Sequence, residues 1–266
     1  MASSKKRPTN RYSNLVAHIF KHRYKRGLTE IYFSREDIVS AASELHIALP
    51  KNIGDVIYSF RYRNDLPECI VKTQPTGFEW IILGSGKSKY TFKLTRLNRI
   101  VPRDNLVTIK IPDATPEIIG VYALGDEQAL LAKVRYNRLI DIFLGITAFS
   151  LQNHLRTTVA GIGQIEVDEI YVALDKSGRQ YVVPVQAKGG HDKHGVVQTS
   201  QDIACCNKKF PNLICRPVSV QFMENSEIAM FELLEKDGEI KVVDEKHYQL
   251  VPASDITTDD LMHYNR

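Results

Sequence analysis

The sequence predicts an α/β chain in two parts. Residues 1–100 form a small domain of three helices and a basic hairpin, residues 101–115 a linker, and residues 116–266 a mixed sheet covered by helices on both faces. Three observations predict this. Apolar residues recur at helical spacing three times before Asn64. Two strand-like runs, Phe78 to Leu83 and Tyr90 to Leu94, then flank a turn rich in glycine and lysine. Further on, "IEVDEIYVALD" and "QYVVPVQAKGG" read as a strand, a turn and a returning strand.

The first helix lies in "NRYSNLVAHIFKHRYKRG", with Tyr12, Leu15 and Ile19 on one face and Gly27 placed to end it. In "FSREDIVSAASELHI", Ser34 and Asp37 have the spacing of a capping box, and Ile38, Ala41, Ala42 and Leu45 follow at helical spacing. Pro50 precedes the third helix, "KNIGDVIYSFRYRND", whose apolar stripe is Ile53, Val56, Ile57 and Phe60. Three helices followed by a basic hairpin is the order of a winged helix, in which the third helix enters the major groove of DNA and the hairpin lies along the backbone. The residues offered are Lys51, Asn52, Ser59, Arg61, Tyr62 and Arg63 on the helix and Lys87 and Lys89 on the hairpin. Arginine and asparagine can make two-point contacts to base edges, while lysine and serine more often hold phosphates. The same elements also suit a small domain that packs only on protein.

Composition narrows the class. A chain of 266 residues, 43% hydrophobic, can bury a sizeable core. No apolar run is long enough for a membrane span and no apolar segment follows the basic start, so the expected compartment is the cytoplasm. Four cysteines without a Cys-x-x-Cys pair argue against structural zinc and a disulfide framework. The net charge of +4 is unevenly spread: the first hundred residues carry most of the basic clusters, and residues 224–245 are acidic. A basic half offers phosphates an electrostatic surface that the average conceals.

Three prolines around one possible strand mark residues 99–116 as the boundary. A long helix is predicted from Asp126 to Leu144, with Leu130, Leu131, Val134, Ile140 and Phe143 buried and Glu127 turned inward; a second helical stretch covers Phe149 to Thr158. In the strand that follows, alternation puts Glu166, Asp168, Ile170, Val172 and Leu174 on one face. The return strand places Gln186 and Lys188 on one face with Val182 and Pro184, and Tyr181, Val183, Val185 and Ala187 on the other. A strand apolar on both faces is interior, so polar side chains at its end need pairing or a ligand. Asp168 and the Gln186 amide oxygen can offer hard oxygen donors to Mg2+, and Lys188 can offset charge in a phosphoryl-transfer transition state. Glu166 and Glu127 are candidates for further ligands.

The stretch "GQIEVDEIYVALDKSGRQYVVPVQAKGG" resembles the core of the PD-(D/E)XK nuclease superfamily. Its members hold divalent metal between an acidic residue on one strand and an (Asp/Glu)-x-Lys on the next. The resemblance covers Glu127 to Gln221, including a helix at "TSQDIACCNKKF" and a strand at "LICRPVSVQF". It implies a restriction-endonuclease-like α/β/α core, with Asp168 as the first acidic ligand, Gln186 in the place of the second, Lys188 as the lysine and Glu127 as the acid from a preceding helix. "VQAK" is similar to the glutamine variant of the Mrr-like branch, which lowers the formal charge of the site by one.

The implied function is a Mg2+-dependent, site-specific type II restriction endonuclease acting on double-stranded DNA. A repair or junction nuclease and a non-catalytic DNA-binding regulator with an inert nuclease-like scaffold are the alternatives. Cutting both strands calls for two chains or sequential nicks, so a homodimer is expected at least on DNA. In the loop "GGHDKHG", His191 and His194 lack a third ligand in a zinc pattern, and His191, Lys193 and His194 read as phosphate contacts. Gln198 and Gln201 are further polar contacts to DNA or to the site, and Cys205 and Cys206 fill the buried side of their helix. The segment after Gln221 reads as two strands around a "KDGE" turn.

Overall fold

Ser34 caps a helix at its N-terminus. Its hydroxyl accepts from the Asp37 backbone N–H while the Asp37 carboxylate accepts from the Ser34 N–H, so two otherwise orphaned donors are satisfied at once. The computed structural model describes residues 11–62, 64–122, 127–159, 163–189, 192–223 and 226–264. Lys5, Lys6, Arg7, Arg63, Asp126 and His191 lie outside the described residues. The chain divides into two compact units, Met1–Asn98 with Ala160–Gly163, and Arg99–Val159 with Gln164–Arg266.

The first unit runs α1 (Arg11–Arg23), β1 (Glu30–Ser34), α2 (Arg35–Glu44), α3 (Gly54–Tyr62), α4 (Glu68–Val71), β2 (Glu79–Gly84) and β3 (Lys89–Thr95). β1 and β2 both pair antiparallel with β3, giving the order β1-β3-β2. The helices close over this sheet through Leu15, Phe20, Ile38 and Ile57, which meet Trp80 and Phe92 in one core. Phe20 lies edge-on to Trp80 and Phe92 at ring distances of 5.3 and 5.2 Å. β1 and α4 have no counterpart in the sequence reading. α4 is too short to show a period, and in β1 the exposed Tyr32 between Ile31 and Phe33 hides the alternation in sequence.

The second unit is a mixed α/β layer. Its strands are β4 (Arg99–Ile100), β5 (Thr108–Pro112), β6 (Thr147–Val159), β7 (Gly163–Leu174), β8 (Gln180–Lys188), β9 (His194–Gly195), β10 (Ile214–Cys215), β11 (Val218–Phe222), β12 (Glu227–Lys236) and β13 (Glu239–Val251). Its helices are α5 (Glu117–Tyr122), α6 (Glu127–Tyr136), α7 (Leu139–Leu144), α8 (Val196–Lys209) and α9 (Thr258–Tyr264). Eight strands form one sheet in the order β5-β13-β12-β11-β8-β7-β6, with β10 also on β8. β8 runs parallel to β10 and β11 and antiparallel to β7, and β5 runs parallel to β13. β4 and β9 pair separately. Residues 101–115, read above as a linker around one strand, carry that strand as β5, and Arg103 is clamped by the Glu245 carboxylate through both its backbone N–H and Nε. No helix among the described residues is long and apolar enough to cross a membrane.

One face of this sheet is apolar. Tyr181, Val183, Val185 and Ala187 of β8 pack with Leu130 and Val134 of α6 and Ile140 of α7. The opposite face, which carries Gln186, meets α8 through the Gln186 bonds to Gln198 and Asp202.

Two helical expectations are corrected. The predicted helix ending at Leu144 is two helices broken at Asn137 and Arg138. The buried Asn137 side chain accepts from Ala114 N–H and donates to Thr115 and the Lys133 carbonyl, and Arg138 takes a left-handed φ of 51°. Phe149 to Thr158 lies in the strand β6, not in a helix. As an edge strand with most side chains exposed, β6 lacks the apolar alternation that marks a strand in sequence.

Candidate functional site

β7 and β8 are joined by a tight turn in which the Asp175 carboxylate accepts from the Ser177 and Arg179 N–H groups and Gly178 supplies φ 76°. From there the antiparallel ladder runs to Glu169 opposite Val185. Beyond that pair, side chains replace the backbone bonds. Asp168 Oδ2 accepts from the Ala187 N–H at 2.9 Å, and Gln186 Nε2 donates to the Glu166 carbonyl at 3.0 Å. The strands are thus held open at the end where the carboxylate and the lysine sit.

Around this opening the structure gathers three of the expected residues. Lys188 Nζ lies 2.9 Å from Glu127 Oε1, which α6 presents from its first turn. Asp168, 8% exposed, feels both charges. Burial pushes its carboxyl above the ordinary carboxylate range, the Ala187 N–H and Lys188 oppose that rise, and Glu127 adds to it. Two carboxylates beside one ammonium, one of them held against its own ionisation, form the arrangement that a hard divalent cation relieves. Asp168 and Glu127 are the residues here that could hold a Mg2+ ion.

Gln186 and Glu166 are placed differently from the expected ligands. Gln186, 1% exposed, has its Oε1 accepting from Gln198 at 2.6 Å and its Nε2 shared between Asp202 and the Glu166 carbonyl. It positions the strand end, and its oxygen is already engaged. The Glu166 carboxylate is turned to the surface against Arg156 at 3.0 Å, so this residue meets the site through its backbone oxygen alone.

Three residues at or behind this site escape sequence reasoning. Asp202 of α8 is fully buried against Gln186, and burial holds its carboxyl well above the usual range, with the charge of Asp168 adding to the effect. Gln198 and Asp202 stand four apart on α8, and that spacing could have marked them as one polar face. Glu169, on the apolar face of the sheet, pairs with Arg135 at 3.0 Å and with Ser150. His154 of β6, at φ 50°, is near enough to lower the Asp168 pKa.

The residues expected to touch DNA divide by exposure. Lys51, Lys87 and Lys89 are exposed, the two latter on the β2–β3 turn. Asn52 is exposed but occupied at the start of α3, where it accepts from Gly54 N–H and donates to Asp55. Ser59 holds Asn64, and Arg61 lies over the Tyr62 ring at 5.1 Å with Nε and Nη2 buried and without hydrogen bonds. Lys193 is exposed. His194 is the exception: it is 1% exposed, bonded to Thr199, and burial drives its pKa down to about 3, so it is a neutral core residue and no phosphate contact. Comparison of the chain with protein-family models, with curated proteins and with solved structures gave no match.

Proposed function

We propose that the chain is a divalent-metal-dependent DNA endonuclease of the restriction type, built on a PD-(D/E)XK-like α/β/α core. The observation that carries this reading is the meeting of Asp168, Lys188 and Glu127 at the opened end of β7 and β8. Bound there, Mg2+ supplies Lewis acidity toward a phosphodiester. The chain's own residues do the rest. Asp168 offers carboxylate oxygen. The Lys188 ammonium, held by Glu127, places positive charge where a phosphoryl transition state develops negative charge. Gln186, Gln198 and Asp202 fix the position of the strand end, because a buried side chain bonded on every side loses little further freedom on binding substrate.

The first unit is read as a winged helix. Its helices α1 to α4 precede the β2–β3 hairpin, β1 between α1 and α2 completes a three-stranded antiparallel sheet in the order β1-β3-β2, and exposed Lys87 and Lys89 lie at the tip of the hairpin. With Lys51 and the Tyr62 end of α3, these lysines form its phosphate-contacting surface. Double-strand cleavage then follows from a twofold pair of chains on DNA, each with one site.

A second reading has one observation in its favour. Gln186 stands where the resemblance expects an acid and is locked into a hydrogen-bond network, which suits a DNA-binding regulator with an inert scaffold. Incubation of the full chain with plasmid and phage DNA, with and without Mg2+, separates the readings. Discrete fragments that require Mg2+ are expected. Cutting restricted to branched or damaged DNA would assign it to repair, and DNA binding without cleavage of any substrate would assign it to regulation.

A further inference from the structure

Among the described residues, one group of three metal-ligating side chains has donor atoms within 4.8 Å of one another: His18, His22 and Glu44, all in the first unit. The geometry points to a transition-metal site here, of the class that takes Zn2+. It belongs to the first unit and does not depend on the nuclease reading.

The two histidines are four residues apart on α1, so they project from the same side of successive turns, and their ring centroids are 4.2 Å apart. Glu44 closes α2 and reaches His18 Nε2 at 2.8 Å. The backbones that present the three groups are fixed from below. α1 buries Leu15 and Ile19, α2 buries Ile38 and Ala41, and Arg23 ties the two helices again through Asp37 at 2.6 Å. The ligand set is therefore held in place by the core, although Glu44 and His22 are open to solvent.

The donor chemistry selects the metal. Two imidazoles and one carboxylate are the borderline nitrogen and oxygen ligands of Zn2+, with a fourth position left for water or an outside ligand. Mg2+ prefers an all-oxygen shell and is disfavoured by the two imidazoles. The site also lies at the end of α2, where the helix dipole presents its negative pole to a cation. Zn2+ bound here staples α1 to α2.

The test is titration of the full chain with Zn2+ by calorimetry near about pH 7.5, where histidine is mostly neutral. Co2+ absorption is the second readout, since a four-coordinate site gives intense visible bands. A Zn2+-binding component with four-coordinate Co2+ bands is expected, weakened at least about tenfold by His22→Ala and by His18→Ala and less by Glu44→Gln. Melting of the unit, read from Trp80 fluorescence, should rise with Zn2+ in the unaltered chain and not in His22→Ala. Absence of binding at about a hundred micromolar Zn2+, or four-coordinate Co2+ bands and a Zn2+-dependent rise in the Trp80 melting midpoint that survive both histidine replacements, overturns the proposal.

Discussion

The two units bury different things. In the first, the buried polar side chains among the described residues are Thr91 and Thr95, and the rest of the core is aliphatic and aromatic. In the second, Asp168, Glu169, His194, Asp202, Glu245 and His247 are all buried. Most of these belong to one side of the large sheet. Cross-strand register aligns Gln186 with Ser219, Phe231 and Glu245, and Lys188 with Gln221, Ala229 and His247. Burying a polar group costs free energy unless it is bonded, and the opposite face, apolar apart from Glu169 and its Arg135 pair, shows that this chain can make an apolar core. The polar face is therefore where the second unit carries most of its buried polar side chains, and on the proposed function it is the face that serves the site.

The largest expected effect breaks the first unit alone. Phe20→Ala removes the ring at the centre of its aromatic cluster and should cost about 3 to 5 kcal/mol. Trp80, the single tryptophan of the chain, is buried beside it, so fluorescence reads this loss directly. A fluorescence midpoint in denaturant that does not move would mean that the cluster is not the core of the unit.

Glu169→Ala is the matching change in the second unit. It leaves Arg135 and Ser150 facing a buried space, for an expected loss of about 3 kcal/mol, measured as the shift in the circular-dichroism unfolding midpoint. Glu169→Gln should recover part of it, because the amide oxygen can still accept from Ser150. Equal losses for both substitutions would assign the effect to the charge pair with Arg135 and count against a contribution from Ser150.

A smaller effect distinguishes the units by pH. His194 has a folded pKa of about 3 against an ordinary 6.5, so as pH falls below 6.5 the unfolded chain gains a proton that the folded chain refuses. The His194 contribution to the second unit is lost through that window, by at most about 1.4 kcal/mol per pH unit, until the folded group also protonates near pH 3, while the raised carboxyls of Asp168 and Asp202 act in the opposite direction as pH falls. In the first unit Asp37, its pKa depressed with Arg23 and the Ser34 N–H opposing burial, loses its contribution only below the ordinary 3.8. Between about pH 6.5 and 4.5 His194→Asn should make the second unit less sensitive to acid than it is in the unaltered chain, while Trp80 fluorescence is the same in both. An unchanged slope in that variant would move the acid sensitivity to another group.

The difference between the units also explains what could be read from sequence. α1, α2 and α3, the β2–β3 hairpin, the turn at Asp175 and the β12–β13 pair are set by local signals: helical spacing, the Ser34–Asp37 cap, and glycine at the bends. Cys205 and Cys206 are buried as their helix periodicity indicates. The features missed are non-local. The break at Asn137 depends on bonds to residues 114 and 115, and β6 shows too little burial to have a period. His194 looks like a loop residue among polar neighbours, yet β9 carries it into the core. At the candidate site, Asp168, Lys188 and Glu127 were legible because strand parity and a helix start bring them to one end. The engagement of Gln186 by Asp202 was not, because it requires knowing which face of α8 meets β8.

The measurement that tests the central claim most directly is Mg2+-dependent DNA cleavage by the unaltered chain, Asp168→Ala and Lys188→Ala, with DNA binding measured on the same three proteins. Cleavage should fall by at least about a hundredfold in both variants. Their DNA affinity should stay within about tenfold, because these groups act on the chemical step and not on docking. Cleavage that persists in both variants, or that proceeds equally well without a divalent cation, would contradict the assignment of the site at the end of β7 and β8.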